Sequence, residues 1–189
     1  FPYKGKGALK EMKKDVGYIH IYCGDGKGKT TTGMGLCVRA AGYGYRVLLY
    51  QFMKNNKTSE RKILQQIPNI TFVDGLEQEK FSFQMTISEK LERKTYYEKQ
   101  FRKITAKAAE ENYDLLFFDE LIYTIRAGLF DEQILLDYLK NEKPAHLEVI
   151  LTGQQPSEEL VALADYVSEI RKIKHPFDQG LPARPGIEK

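Results

Sequence analysis

Tryptophan is absent from this sequence, and only two cysteines and three histidines occur in its 189 residues. Cys23 and Cys37 have neither CxxC spacing nor a neighbouring histidine, which argues against a structural zinc site, and both are read as reduced core thiols. No run of about eighteen apolar residues is present, so no membrane-spanning helix is expected. The N-terminal stretch lacks the apolar centre of a secretory leader, and the expected compartment is therefore the cytoplasm. A dense Lys/Arg tract is also missing. The formal net charge of +3 is compatible with an anionic ligand, but nucleic acid is not expected as the main partner. Internal repeats and low-complexity segments are likewise lacking. What is present is the make-up of one soluble globular domain, 42% apolar and 29% charged. The first residue is Phe1 rather than Met, so the chain reads as part of something longer.

Residues 1–16 are Lys-rich and weakly periodic, and read as an irregular arm or a short helix. An α/β domain over residues 17–173 follows, and an irregular tail over 174–189 holds three prolines. Apolar blocks of strand length stand at Gly17–Cys23, Val47–Phe52, Ile70–Val73, Leu115–Phe118, Leu147–Leu151 and Tyr166–Ile170. Helical patterns alternate with them at Lys29–Ala41, from Ser88 to about Asn112, at Asp131–Leu139 and at Ser157–Ala164. In the long helix Ile87, Leu91, Phe101, Ile104 and Ala108 recur at spacings that share one face. Strand–helix alternation with strands apolar on both faces predicts a mostly parallel sheet of five or six strands, covered by helices on both sides.

The strongest chemical signal is Gly24-Asp25-Gly26-Lys27-Gly28-Lys29-Thr30, set between an apolar strand and a helix. This is the setting of a phosphate-binding loop. Glycines let successive N–H groups face one point, the helix N-terminus adds its positive end, Lys29 reaches phosphate oxygens and the Thr30 hydroxyl can ligate Mg²⁺. The usual first glycine would fall at Cys23, so the loop is tighter than most. A second element is Leu115-Leu116-Phe117-Phe118-Asp119-Glu120, an apolar strand that ends in two carboxylates. Ligands of open parallel sheets bind at such strand ends, and Mg²⁺ takes carboxylate, hydroxyl and phosphate oxygens. Thr30 with Asp119, Glu120 or both is the expected metal set. No activated Ser, Cys or general base is apparent. The lone His20 and His146 are read as structural.

Taken together these motifs resemble the ATP:corrinoid adenosyltransferases, and the likeness covers nearly all of residues 17–188. It rests on GDGKGKTT, GLCVRAAGYGYRV, QFMK from Gln51, FFDELIYTIRAGL, LTGQQP and, most specifically, KHPFDQGLPARPGIE. The resemblance implies a P-loop fold and a homodimer. It implies Mg²⁺, with ATP and a corrinoid as substrates, and a flavoprotein reductase as a candidate partner. In the implied reaction a Co(I) corrinoid attacks the 5′ carbon of ATP and triphosphate leaves. Lys29, Thr30 and Glu120 would then be catalytic, and Lys27, Lys29, Thr30 and Thr31 would hold the departing triphosphate. Arg39 and His175 are further implied contacts, although His175 is equally compatible with packing. Phe81 and Phe83 stand where the family has an aromatic pair that presses on the lower corrin face. Their i, i+2 spacing suits one face of an extended segment, with a role in the core as the alternative. The family commonly has Arg where this chain has Gln154. An ATP hydrolase or nucleotide kinase of the same fold, and a binding module switched by ATP, are the rival readings.

Overall fold

A computed structural model describes residues 16–188. The expected N-terminal arm lies outside them except for Val16. Six strands, β1 (Ile19–Cys23), β2 (Val47–Gln51), β3 (Ile70–Phe72), β4 (Leu115–Asp119), β5 (Glu148–Thr152) and β6 (Tyr166–Glu169), form one sheet. Their order is β3-β2-β4-β5-β1-β6 and every pairing is parallel. The expectation of a mostly parallel sheet thus sharpens to a wholly parallel one. β2 and β4 are buried at every residue, as strands covered on both faces must be. β6 departs from that expectation: all four of its residues are exposed, because it is the edge strand and none of the described helices covers it.

One face of the sheet carries α1 (Lys29–Tyr43) and the short α2 (Arg61–Leu64), and the other carries α3 (Ile87–Glu110), α4 (Leu121–Arg126), α5 (Glu132–Asp137) and α6 (Glu158–Leu163). α1 lies close on the sheet because Gly33 has no side chain; a Cβ there would sit 2.3 Å from the Cζ of Phe117. α3 begins at a capping box in which Thr86 accepts from the Glu89 N–H and Glu89 accepts from the Thr86 N–H, slightly before the expected Ser88 start. From Tyr97 onward it buries Tyr97, Phe101, Ile104 and Ala108 in the core that holds Phe118, Phe130 and Tyr138. Ile87 and Leu91 do not join that face. They are 90% and 66% exposed, because the first turns of the helix stand where no core lies beneath them. No helix among the described residues is long and apolar enough to cross a membrane.

Candidate functional site

The C-terminal ends of β1, β2, β4 and β5 converge on the turn between β1 and α1. Gly24 opens that turn at φ +109°, a conformation that disfavours a side chain, and an added Cβ would lie 2.3 Å from the carbonyl oxygen of Ile170. The loop is pinned from beneath by the Gly26 N–H donating to the same carbonyl at 2.8 Å, and by the Lys172 N–H donating to Asp25 Oδ1 at 2.8 Å. Lys29 Nζ folds back to the Gly26 carbonyl at 2.8 Å, above the loop's own N–H groups.

Behind the loop lies a polar cluster centred on Asp119, whose side chain is wholly buried. Oδ1 accepts from Thr30 Oγ1 at 2.8 Å and from Thr152 Oγ1 at 2.7 Å. Oδ2 accepts from Lys54 Nζ at 2.6 Å and from Gln51 Nε2 at 3.1 Å. Burial pushes the Asp119 carboxyl up, but the Lys54 charge and these hydrogen bonds outweigh it and hold the group below the usual carboxylate range. Burial pulls the Lys54 ammonium down, but Asp119, helped by Glu120 and Glu60, outweighs it and holds the group above its ordinary value. Gln51 is itself oriented by Thr58, which donates to its Oε1 at 2.8 Å, and by Glu60, which accepts from its Nε2 at 2.8 Å.

Glu120, the next residue, behaves in the opposite way. Its backbone takes the left-handed conformation, φ +61°, at the entry to α4, and its N–H donates to Thr152 Oγ1 at 2.8 Å. A non-glycine residue seldom takes this costly conformation, and here Glu120 lines the cavity at the loop. Burial and then the Asp119 charge raise its pKa, only partly countered by Lys54 and Lys29.

Asp25–Thr31 and Glu120 share a cavity of about 290 Å³ with the C-terminal segment, which contributes His175, Phe177, Leu181 and Glu188 among others. The tail is thus less irregular than expected. It forms a 3₁₀ turn at Pro176–Gln179, and His175 Nδ1 accepts from the Phe177 N–H at 3.1 Å to cap it. The tail also brings Glu188 within 3.8 Å of Lys27 Nζ. The Arg184 guanidinium and N–H hold the Glu188 carboxyl at about 2. A second and larger cavity, about 740 Å³, meets the first at Thr30, Thr31, Ile187 and Glu188, and extends past Met53, Lys54 and Glu60 to Phe81.

Of the residues singled out in the sequence, the structure brings Asp25, Gly26, Lys27, Gly28, Lys29, Thr30, Thr31, Glu120 and His175 to one cavity, with Asp119 behind it. Arg39 is exposed on α1 ten residues beyond Lys29, about 15 Å along the helix axis, and lines neither cavity. Gln154 lines a separate hollow with Cys23, Gly24 and Asp25. Phe81 and Phe83 are 67% and 78% exposed, which excludes the core alternative. The extended segment expected for them is instead a 3₁₀ turn over Ser82–Gln84 that stacks the two rings at 5.4 Å and 15°. Cys23 and Cys37 are free and buried, and burial pushes both thiols up. His20 pairs with Glu148 and stacks on Tyr166 at the end of β1 opposite the loop. Sequence reasoning did not assign roles to Gln51, Lys54 and Thr152, although all three lie in the QFMK and LTGQQP motifs.

The cluster suits a hard divalent cation. One hydroxyl and two carboxylates supply oxygen donors, and the place between Thr30 and Asp119 already holds a positive charge, the Lys54 ammonium. Among the described residues no group of three or more His, Cys, Asp and Glu side chains is arranged to hold a metal. The protein's donors therefore suit a cation that completes its shell with substrate phosphates and water.

The family described as "ATP:corrinoid adenosyltransferase BtuR/CobO/CobP" matches residues 15–188. The corrinoid adenosyltransferase of Escherichia coli strain K12 is 30% identical over 180 residues, which cover 95% of this chain and 89% of that protein. A corrinoid adenosyltransferase of Sinorhizobium is also 30% identical, over 92% of this chain and 81% of its own length. Among solved structures, a KaiC-like protein of Pyrococcus horikoshii matches with a TM-score of 0.52 at 15% identity, over 85% of this chain and 75% of that one. That likeness shows the α/β fold with its parallel sheet, and nothing further.

Proposed function

The chain belongs to the ATP:corrinoid adenosyltransferase family, and from that premise we propose how its own residues carry out the transfer of the adenosyl group of ATP to a corrinoid. The observation that carries the reading is the single cavity in which Lys29, Thr30 and Glu120 meet the glycine-rich loop. In the reaction the cobalt of a Co(I) corrinoid supplies an electron pair to the 5′ carbon of ATP. The Co–C bond forms, the C5′–O bond breaks, and that bond's electrons leave on the triphosphate oxygen. Cobalt is the nucleophile, so the protein's task is to align the reactants and to stabilise a highly charged leaving group.

Lys27, Lys29, Thr31 and the loop N–H groups hold the triphosphate. Thr30, Asp119 and Glu120 would hold Mg²⁺, which when bound would neutralise charge on the phosphate oxygens. The tail closes the nucleotide's other side. The larger cavity, which opens from Thr30 and Thr31 towards Phe81, takes the corrinoid. There Phe81 and Phe83 press on the lower corrin face and displace its axial ligand, which makes Co(II) easier to reduce. A homodimer in the cytoplasm, supplied with electrons by a flavoprotein reductase, completes the reading.

Incubation with Mg²⁺, ATP and a chemically reduced corrinoid tests it. Adenosylated corrinoid and intact triphosphate are expected in equal amounts. Orthophosphate released from ATP in the absence of corrinoid would instead mark a hydrolase.

A further inference from the structure

We propose that Lys54 is a tethered cation that shares one position with the divalent ion, so that the arrival of metal with nucleotide expels its ammonium from Asp119 into the larger cavity. The inference rests on the assignment of Thr30 and Asp119 to metal binding and goes beyond it. β2 and β4 pair with Gln51 opposite Asp119, which sets the end of β2 beside the carboxylate. The chain then turns at Met53, φ +57°, and Lys54 comes back over the pair. Its Nζ lies 2.6 Å from Asp119 Oδ2 and donates to Thr30 Oγ1 at 3.1 Å. These are the two oxygens that a loop-bound cation would use.

Two cations cannot share that place. With a divalent ion on Asp119, an ammonium a few ångströms away meets two positive charges for one negative and is repelled more strongly than it is held. The lysine side chain is 26% exposed and so has a way out towards solvent, whereas Asp119 is fully buried. It also lines the larger cavity, where Glu60 offers a carboxylate. Without metal, Lys54 neutralises a buried carboxylate that would otherwise be costly. With metal, its charge is delivered to the cavity beside the loop. Metal loading and the charge of that cavity are thereby linked.

The test measures ATP binding without corrinoid, so no turnover intervenes. The quantity read is the dissociation constant of ATP in excess EDTA divided by that in excess Mg²⁺. In Lys54→Met the metal meets no competitor, and this ratio should rise on the order of tenfold over wild type, the scale of one charged hydrogen-bonded contact. Lys54→Arg restores a competitor and should return the ratio towards the wild-type value. A natively folded Lys54→Met with a ratio equal to or below wild type overturns the exchange while leaving the metal assignment standing. A wild-type ratio of one removes both. Should Lys54→Met not fold, a crystal of wild type grown with Mg²⁺ and ATP decides. Lys54 away from Asp119 and metal in its place is expected, whereas Lys54 retained on Asp119 beside a bound metal sinks the exchange.

Discussion

Two walls of the same cleft are built on opposite terms. On the loop wall, each oxygen of Asp119 is matched by two donors, and even the loop lysine has a carbonyl to rest on. The opposite wall ends at Phe81, whose ring stacks on Phe83, and both rings are exposed to solvent, as are Ile87 and Leu91 in the first turns of α3, outside the cavity lining. The first wall is arranged before any ligand arrives, and its strength lies in preorganised charge. The second keeps apolar area in water that only a bound molecule or a neighbouring surface can cover. Mutations on the two walls should therefore differ in kind: the first changes rate through electrostatics, the second through contact with the ligand.

The largest effect is expected on the loop wall. Lys29→Ala removes a charge aimed at the leaving triphosphate and should lower kcat by about 10²-fold or more, with an unchanged circular dichroism spectrum. Wild-type turnover in that variant would dissolve the contrast at its root. A smaller effect is expected opposite. Phe81→Ala and Phe83→Ala each lose an aromatic contact of about 0.5–1.5 kcal/mol, so turnover from Co(II) under a weak reductant should fall by up to about tenfold. Turnover from preformed Co(I) should change far less. Because both rings are exposed, thermal unfolding should move by no more than about 0.5 kcal/mol. A loss of several kcal/mol would place the pair in a core the structure does not have.

The smallest effect sharpens the contrast within the loop wall itself. The Glu120 pKa is raised in the folded protein, so above that raised value its charge weakens folding. Glu120→Gln should thus stabilise the metal-free protein at neutral pH by about 1 kcal/mol or less. The gain should fade as the pH drops through the raised pKa, where the wild-type carboxyl takes up a proton. Asp119 is shifted the other way and keeps its stabilising contribution throughout that window, losing it only below the ordinary carboxylate range. The same substitution should raise the Mg²⁺ concentration needed for half-maximal activity. Unfolding scans with EDTA at several pH values separate the two carboxylates, and a pH-independent gain would mean that Glu120 is not perturbed.

How much of this could be read from the chain depended on distance along it. The loop and its helix are contiguous, so glycine spacing and the following helix were enough to place Lys29 and Thr30. The strands could be read because a doubly covered sheet demands unbroken apolar runs such as Leu115–Phe118. Periodicity along α3 identified a face, but not how far the core extends beneath it, and Ile87 and Leu91 were misplaced for that reason. Asp119 and Glu120 could not be told apart, since their difference arises from one backbone turn and from Thr152 on another strand. The Lys54 contact was hidden for a similar cause: it exists only once β2 and β4 are in register.

The position of β1 in the sheet carries a consequence in time. Its two neighbours are β5 and β6, and the Ile19 N–H bonds to Asp165, 146 residues further along. During synthesis at about 5–20 residues per second, the strand that leads into the phosphate loop must wait roughly 7–30 s for its partners to emerge. The loop is therefore translated before the other parts of the site described above and is among the last of them to take shape. A nascent chain stalled before β5 carries the glycine-rich sequence without the means to bind a nucleotide.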